Sequence, residues 1–401
     1  MPAMPSPNPL PLMRLALVLS LGAAVSLGVT RFAYGLLLPP MRDNLGWSYT
    51  LAGTMNTVNA VGYLLGALLT PVLMRRLGPS RLFLWGSWLA TLLMALAGFL
   101  VEPGPLLAQR LTAGVLSAFQ FISGGLLAAR LAARDAERGS LLLGLYYGGA
   151  GLGIVASALA VPPLLHAAAA QAHAWAWAWW GLALLCALAS VFMAWPARVL
   201  DERSGPSNAA APAAPGRPPA RLRDMGWLLL GYGLFGAGYI GYMTFSVALL
   251  REQGLSAAGI TSYFTLLGVA VFVAPRVWAG LFDRERGGGA FARLSALLAV
   301  AALLPALASG WMVAVASGLL FGLSFLSVVA STTAFVRHNL PATQWARGIS
   351  GFTICFAVGH IVGPVLTGFI SDGPGGLARG LVFSSAALAL GAAFAWRQRP
   401  L

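Results

Sequence analysis

The segments MRDNLGWS (residues 41–48) and LREQGLS (residues 250–256) share Arg, an acid, an amide, Gly and Ser in the same order, apart from a one-residue gap. Each segment follows a long apolar run, and the two serines, Ser48 and Ser256, are 208 positions apart. The same offset applied to Arg75 and Arg76 in LMRRLGPSR reaches Asp283 and Arg284 in GLFDRERGGG. The sequence therefore predicts two similar halves arranged as a parallel repeat.

The composition places the chain in a membrane. Hydrophobic residues make up 58% of its 401 positions and charged residues only 9%, whereas a soluble domain has about a quarter charged residues. Eleven acidic residues are too few to coat a soluble surface of this size. The two cysteines, Cys186 and Cys355, lie in apolar runs, which favours packing over a disulfide bond or a metal site.

A helix needs about 20 mostly apolar residues to cross a bilayer, and twelve segments meet this requirement. The predicted spans, numbered 1 to 12 in chain order, are 15–38, 51–74, 82–100, 106–129, 140–165, 175–195, 226–250, 261–282, 290–308, 311–336, 347–370 and 378–396. A segment rich in Pro, Ala and charge, residues 196–224, is typical of a flexible linker. The predicted domains are thus 1–195, the linker 196–224, and 225–401, with six spans in each half.

The distribution of arginine predicts the orientation. If both termini are cytoplasmic, nineteen arginines fall in inner loops and the adjoining span ends, against three on the outer side, in accord with the positive-inside rule. We therefore expect a multi-pass protein of a bacterial inner membrane, with cytoplasmic termini. The same distribution accounts for the net charge of +14 without a nucleic-acid partner, which would need a basic patch on a folded soluble surface.

Two short motifs carry a family resemblance. Asp283-Arg284 matches the acidic-basic core of a loop motif that follows spans 2 and 8, and Arg75-Arg76 occupies the first copy, with Arg75 at the acidic position. LLAQRLTAGVLSA supplies a Leu, Arg and Gly pattern in span 4, centred on Arg110. With the twelve spans and the central linker, these motifs make essentially the whole chain resemble the major facilitator superfamily.

The resemblance implies an all-α membrane protein whose two six-helix bundles are related by a pseudo-two-fold axis and enclose a central cavity. It also implies alternating-access transport by a protein that is mostly monomeric. Arg75, Arg76, Asp283 and Arg284 would act in gating, and Arg110 would act in proton coupling. A solvated loop that only obeys the positive-inside rule, and an interfacial Arg110, are the alternatives.

Charged groups inside a membrane are candidates for function because burying one at mid-helix costs at least about 2.5–3.5 kcal/mol. Arg31, in SLGVTRFAYGLLLPP, lies eight residues before Pro39, and no acid lies in the interior of any predicted span. We therefore expect Arg31 to hold an anionic substrate, with an arginine capped by helix carbonyls and water as the alternative. Arg276 is a second candidate, either as a substrate contact or as a partner of Asp283.

His360 lies near the middle of span 11 and is the candidate proton carrier or anion donor, since its ordinary pKa is near neutrality. The alternative is a histidine that only packs. Uncharged polar residues are expected to complete the substrate site, with helix–helix hydrogen bonding as the alternative role. These residues are Tyr34, Asn56, Asn59, Tyr63, Gln120, Tyr146, Tyr147, Tyr239 and Tyr242.

The sequence thus predicts a secondary transporter for a small solute, with an organic anion such as a carboxylate as the first substrate class. Protons are a possible coupling partner, and no cofactor or metal is expected. The alternative is efflux of neutral or cationic compounds such as drugs or sugars, although GLYYGGAGLG in span 5 lacks the Gly-Pro of the antiporter motif. An enzyme is disfavoured because catalysis would need clustered nucleophiles, acids or metal ligands. A receptor is disfavoured because no segment predicts a soluble output domain.

Overall fold

The structure is a computed structural model that describes residues 9–135, 138–202, 222–341 and 344–401. Most of the predicted linker, residues 203–221 with Arg203, Arg217 and Arg221, lies outside the described residues. Every regular element within the described ranges is helical.

The first half contains the helices Pro9–Ala23, Tyr34–Leu45, Tyr49–Leu77, Pro79–Ala97, Pro103–Ala132, Gly139–Ala167 and Ala174–Glu202, with a π-helical segment at Ala24–Phe32. The second half opens with a short 3₁₀ turn, Leu222–Met225, and continues with Gly226–Glu252, Ala257–Arg284, Gly289–Leu307, Trp311–Asn339, Trp345–Ser371 and Gly376–Trp396. Span 1 comprises the first two α-helices and the π segment, and each later long helix is one span.

Twelve described helices are long and apolar enough to cross a membrane, which confirms the predicted all-α fold. Several helices are longer than predicted because the sequence criterion counts only the apolar core of a span. The helix of span 6, for example, continues through Pro196 to Glu202, past the predicted end at residue 195.

The repeated segments form the same turn in both halves. Gly46 and Gly254 have φ angles of +67° and +82°, a conformation that glycine adopts without a steric penalty. Ser48 then accepts a hydrogen bond from the amide of Leu51, and Ser256 accepts one from the amide of Gly259, both at 3.1 Å. Each serine is therefore the N-cap of the second span in its half, so the shared letters encode a shared turn.

We use terminal face for the side of the molecule that carries Pro9 and the C-terminal residues, and opposite face for the other side. On the terminal face, the C-terminus is fixed to the second half, where the amide of Leu401 donates to Asn339 at 2.8 Å.

The two halves meet where span 2 packs on span 11, span 5 on span 8, and span 1 on span 7. At Gly151 a Cβ would lie 2.3 Å from the carbonyl oxygen of Gly268, so spans 5 and 8 cross with their backbones in contact.

Span 1 is not a regular α-helix. Its residues Ala24–Phe32 form a π-helix, in which the hydroxyl of Thr30 donates to the carbonyl of Val25, five residues earlier, at 2.7 Å. π-Helical segments inside α-helices are rare and are frequent at functional sites. This segment contains Arg31 and changes the direction in which its side chain leaves the helix. No feature of the sequence indicated it.

Candidate functional site

The centre of the molecule is a contact between Arg31 of span 1 and His360 of span 11, in which Arg31 Nη2 donates to His360 Nε2. Because a guanidinium group has no acceptor, His360 must accept at Nε2 and carry its proton on Nδ1. That Nδ1 lies 2.8 Å from the hydroxyl of Tyr239 in span 7, to which it donates. Arg31, His360 and Tyr239 are only 6%, 1% and 4% exposed, so the two halves are joined by a buried, neutral histidine.

A second arginine lies beside this contact. Arg110 of span 4 donates to the carbonyl of Thr30 at 3.2 Å and to Asn56 Oδ1 at 3.1 Å, and its guanidinium lies 4.8 Å from the centre of the Tyr34 ring. Asn56 in turn donates to the hydroxyl of Thr244 in span 7 at 2.7 Å. Arg110 is therefore linked through one amide side chain to the second half.

The centre carries uncompensated positive charge. Arg31 and Arg110 are both more than 90% buried, and none of the eleven acidic residues lies in the interior of a span. The three ion pairs in the described part of the chain involve Arg42, Arg223 and Arg293 instead. Buried charges are normally paired because an unpaired charge is costly to desolvate, so this centre is suited to an anion.

Several sequence candidates are part of this centre and others are not. Besides Arg31, Arg110, Tyr34, Asn56, Tyr239 and His360, the structure brings in Tyr63, whose ring centroid is 5.2 Å from the Arg31 guanidinium. Asn59 packs spans 2 and 4 by donating to the carbonyl of Arg110 at 2.9 Å. Tyr147 is 41% exposed and its ring lies 5.2 Å from that of Tyr146.

Three candidates lie within their own bundles. Tyr242 and the hydroxyl of Ser317 are 2.5 Å apart, inside the second half. Tyr146 donates to the carbonyl of Phe121 at 2.8 Å, and the side-chain amide of Gln120 contacts the sulfur of Met193 at 4.0 Å. The sequence identified these residues as polar candidates, but it did not identify the helix that each side chain meets.

Arg276 is exposed and is not brought to Arg31. Among the described residues it forms no ion pair with Asp283. Arg75, Arg76, Asp283 and Arg284 are also exposed, on the terminal face. In this loop the paired acid is Glu285, which binds Arg293 of its own half at 2.6 Å.

The opposite face has contacts between the halves that the sequence did not reveal. Asp372, directly after span 11, accepts hydrogen bonds from the amides of Tyr49 and Thr50 at 2.7 and 2.9 Å, and from the Thr50 hydroxyl at 2.5 Å. A carboxylate at a helix N-terminus is stabilised by the free amides and the helix dipole. Here the helix is span 2 of the other half. We call this arrangement of Asp372, Tyr49 and Thr50 the outer seal, because the arginine distribution of the sequence predicts that the opposite face is the outer side.

A second contact reinforces the outer seal. The Tyr49 hydroxyl donates to Glu252 at the end of span 7, and the Arg42 guanidinium lies 3.8 Å from the centre of the Tyr49 ring. Burial raises the pKa of Asp372, but the hydrogen bonds from Thr50 and from the Tyr49 amide, with the charge of Arg42, outweigh it. The net effect holds the pKa of Asp372 below its usual value.

Two cavities lie toward the opposite face. One of about 510 Å³ is mainly apolar and lies between the ends of spans 1, 5, 7 and 8, with His166 and Arg251 at its polar positions. The other, of about 210 Å³, is bounded by residues of the outer seal region, including Arg42, Tyr49 and Glu252. Arg31 lines neither cavity, so both are separate from the central site.

Sequence reasoning missed Thr244, Asp372 and Thr50. Thr244 and Thr50 are single hydroxyls in apolar helices and have no distinguishing pattern. Asp372 had a usable signal, because it is one of few acids and directly follows a span that ends in Ser371. Its partner could not be read from the sequence.

Comparison with known proteins identifies related sequences and folds. The family described as "Uncharacterised MFS-type transporter YbfB" matches residues 23–396, whereas no curated protein matches the chain significantly. Among solved structures, the nucleoside transporter NupG is similar with a TM-score of 0.69 and 13% identity, covering 96% of this chain and 98% of NupG.

Two further solved structures show the same likeness. A bacterial homologue of the human lysosomal transporter Spinster, inward-facing and unoccupied, has a TM-score of 0.68 and 14% identity over 96% of each chain. The Escherichia coli fucose:proton symporter FucP has a TM-score of 0.60 and 16% identity, covering 96% of this chain and 98% of FucP. At these identities the likeness shows a shared fold.

Proposed function

The chain belongs to the YbfB-type family of major facilitator superfamily transporters, and from this premise we propose that it is a secondary transporter for a small organic anion. It would move this solute across a bacterial inner membrane by alternating access. The observation that carries the proposal is the pair of buried arginines, Arg31 and Arg110, in a chain without an acidic residue in any span interior. A carboxylate bound at this centre would supply the missing negative charge.

Arg31 is the better anchor for the anion. Arg110 is committed to protein acceptors, since it binds the carbonyl of Thr30 and the side chain of Asn56. Among the described residues, the guanidinium of Arg31 has one hydrogen-bond partner, the side chain of His360, and the remaining donors of its five N–H groups are available to a ligand. The carboxylate would bind at these donors or displace His360.

His360 is the candidate site for proton coupling. In its present contacts it is neutral, because Nε2 accepts from Arg31. A protonated His360 would have no acceptor for Arg31 and would place two cations side by side. A carboxylate that takes the place of His360 on Arg31 would remove this conflict, so that substrate binding favours protonation and the two are transported together.

The outer seal supports alternating access. The hydrogen bonds that join the halves through Arg31, Tyr49, Thr50, Asn56 and Thr57 lie at the centre or toward the opposite face. With cytoplasmic termini, as the arginine distribution predicts, the sealed side is the outer side and the conformation is inward-facing. Opening to the outside would break the seal.

The terminal-face residues belong to the same proposal. In the outward-facing state, the charged turns with Arg75, Arg76, Asp283 and Arg284 would approach the helix ends of the other half and stabilise closure there. Arg276, which is exposed on span 8, would lie along the cytoplasmic route and attract the anion.

The first experiment is a thermal-shift titration of the purified protein with acetate, benzoate and succinate, and with the neutral solutes benzamide and glucose. A ligand that binds only the folded state stabilises it by RT ln(1 + [L]/Kd), about 2.7 kcal/mol at one hundred times Kd. Arg31→Gln is the test variant. Arg379→Gln, which removes an exposed arginine on the opposite face, is the matched control.

We expect a carboxylate to raise the melting temperature of the wild type and of Arg379→Gln, and to have no effect on folded Arg31→Gln. Uptake of that acid into proteoliposomes, with and without a pH gradient, then tests transport and coupling. Stabilisation by neutral solutes alone, equal in all three proteins, would overturn the anion proposal.

A further inference from the structure

Resting on the proposed function, we infer that the transported acid carries a planar aromatic ring, which packs between Tyr63 and Phe356 while its carboxylate binds Arg31.

Aromatic rings surround Arg31 from both halves. The ring centroid of Tyr63, in span 2, lies 5.2 Å from the guanidinium. On the other side, the His360 ring that accepts from Arg31 lies 5.2 Å from the rings of both Tyr239 and Phe356. An anion on Arg31 is therefore within reach of aromatic faces of both bundles.

The rings differ in how far they are buried. Arg31, Tyr239 and His360 are almost completely buried, whereas Tyr63 and Phe356 are only partly buried. Both partly buried rings are in contact with the central residues rather than at the lipid-facing periphery. The partly buried surface next to the arginine thus includes two aromatic rings, against which an aromatic ring of the acid would pack.

Phe356 is held in a fixed orientation by other rings. Its ring lies 5.8 Å from Tyr239 at an interplanar angle of 19°, and 5.2 Å from Tyr232 at 30°. Phe235 stacks on Tyr239 at 4.9 Å and 16°. A bound ring would extend a preformed stack, and little side-chain freedom would be lost on binding.

The spacing suits one ring and one carboxylate. Phe356 and His360 are four residues apart on span 11, so they lie on the same helix face about 6 Å apart along the axis. The backbone here is fixed by close contact with span 7, because a Cβ at Gly236 would lie 2.6 Å from the carbonyl oxygen of Phe356. The acid-binding and ring-binding surfaces are therefore held at a constant distance.

The test separates ring from charge with four probes. Benzoate has both the ring and the charge, cyclohexanecarboxylate has the charge and a non-aromatic ring, hexanoate has the charge alone, and benzamide has the ring without the charge. Dissociation constants are measured by thermal shift on the full-length protein. The variants are Phe356→Leu, with Phe264→Leu as the control, since Phe264 is a buried phenylalanine whose ring contact is with Tyr263.

We expect benzoate to bind about two- to tenfold more tightly than cyclohexanecarboxylate and more tightly still than hexanoate. Phe356→Leu should bring the ratio of the dissociation constants of benzoate and cyclohexanecarboxylate close to one. It should leave the dissociation constant of hexanoate unchanged. Phe264→Leu should keep the ratio of the wild type. If Phe356→Leu does not fold, Tyr63→Leu is the second test variant. It should also bring the two dissociation constants closer together.

The outcomes distinguish the inference from the function on which it rests. Equal binding of the three acids, abolished by Arg31→Gln, would overturn the aromatic-ring inference and leave the anion transporter intact. Equal binding of benzoate and benzamide, insensitive to Arg31→Gln, would overturn the anion proposal and leave an aromatic subsite. Failure of all four probes to bind at millimolar concentration would contradict both.

Discussion

The carboxylate of Asp372, directly after span 11, accepts a hydrogen bond of 2.5 Å from the hydroxyl of Thr50, at the start of span 2 in the other half of the molecule. The same carboxylate accepts from two amides at the N-terminus of that helix. No acid stands at the corresponding place in the first half, where HAAAAQAHA follows span 5. The two carboxylates that join the halves on the opposite face, Asp372 and Glu252, thus both belong to the second half, and a substitution of Asp372 should act on the outer seal.

Asp372→Asn should shift the conformational equilibrium toward an open outer face. Loss of a carboxylate at a helix N-terminus costs about 0.3–1 kcal/mol at an exposed site, which corresponds to a two- to fivefold change in population. The distance between spin labels at Glu102 and Ser309 would measure this shift, since both residues are exposed on the opposite face and lie in different halves.

The labelled protein needs Cys186 and Cys355 replaced. Ser309 and Glu102 labels on Arg379→Gln serve as the control, and an unchanged distance distribution in Asp372→Asn would contradict the seal.

The outer seal should weaken in acid. The pKa of Asp372 is held below its usual value in the sealed state, so its stabilising contribution is present above the pKa of the unsealed state. It is lost as the pH falls through the lower pKa of the sealed state. In nanodiscs, the outer-face distance should therefore lengthen below about pH 4. Asp372→Asn should remove this component of the pH dependence. If the distance depends on pH in the same way in the wild type and in Asp372→Asn, the change would be assigned to other acids.

His360→Leu should destabilise the protein more than His360→Gln. Leucine leaves Arg31 without an acceptor from the protein, and an unsatisfied buried group costs about 1–3 kcal/mol, more when charged. Glutamine offers a carbonyl oxygen to Arg31. Apparent melting temperatures of the two variants compare these cases, with Tyr239→Phe as a control that removes only the second contact of the histidine. Equal melting temperatures for the Leu and Gln variants would show that Arg31 does not depend on this acceptor.

Asn56→Asp should weaken binding of the anion. The new carboxylate would lie where Asn56 Oδ1 now accepts from Arg110 at 3.1 Å, and would neutralise one of the two buried positive charges. The added negative charge would weaken the attraction of the centre for an anion, and since each 1.4 kcal/mol corresponds to a factor of ten in affinity, we expect the Kd of the stabilising carboxylate to rise about tenfold. Thr244→Val breaks the other hydrogen bond of Asn56 without adding charge, and should change the Kd by less than about twofold. A similar loss in both variants would point to distortion of the helix packing.

The resemblance of the two halves illustrates how far a short pattern can be read. Gly46 and Gly254, with Ser48 and Ser256, encode a turn and an N-cap, which are local structures set by neighbouring residues. The sequence therefore located these turns, and the twelve spans that they separate, without any tertiary contact. Asp283 shows the limit of the same pattern, because the loop position was correct while the acid that forms an ion pair is Glu285.

The central site could be predicted in part. Arg31, Arg110 and His360 stand out because a charged or titratable group is costly in a membrane and is kept there only for a reason. The tyrosines do not stand out in this way. Tyr239 and Tyr242 share one face of span 7, yet Tyr239 meets His360 and Tyr242 meets Ser317, since neighbouring helices cover different parts of that face.

The sequence by itself determined the number of spans, the repeat, and a membrane interior with basic groups and no acids, because these depend on local runs of apolar residues and on composition. The tertiary structure alone decided that Arg31 meets His360, 329 positions away, and that Asp372 caps span 2. It also decided that a π-helical segment turns Arg31 toward the centre. Hydrophobic periodicity specifies which side of a helix is buried, whereas close backbone contacts such as that of Gly151 with Gly268 select the helices and the register in which they meet.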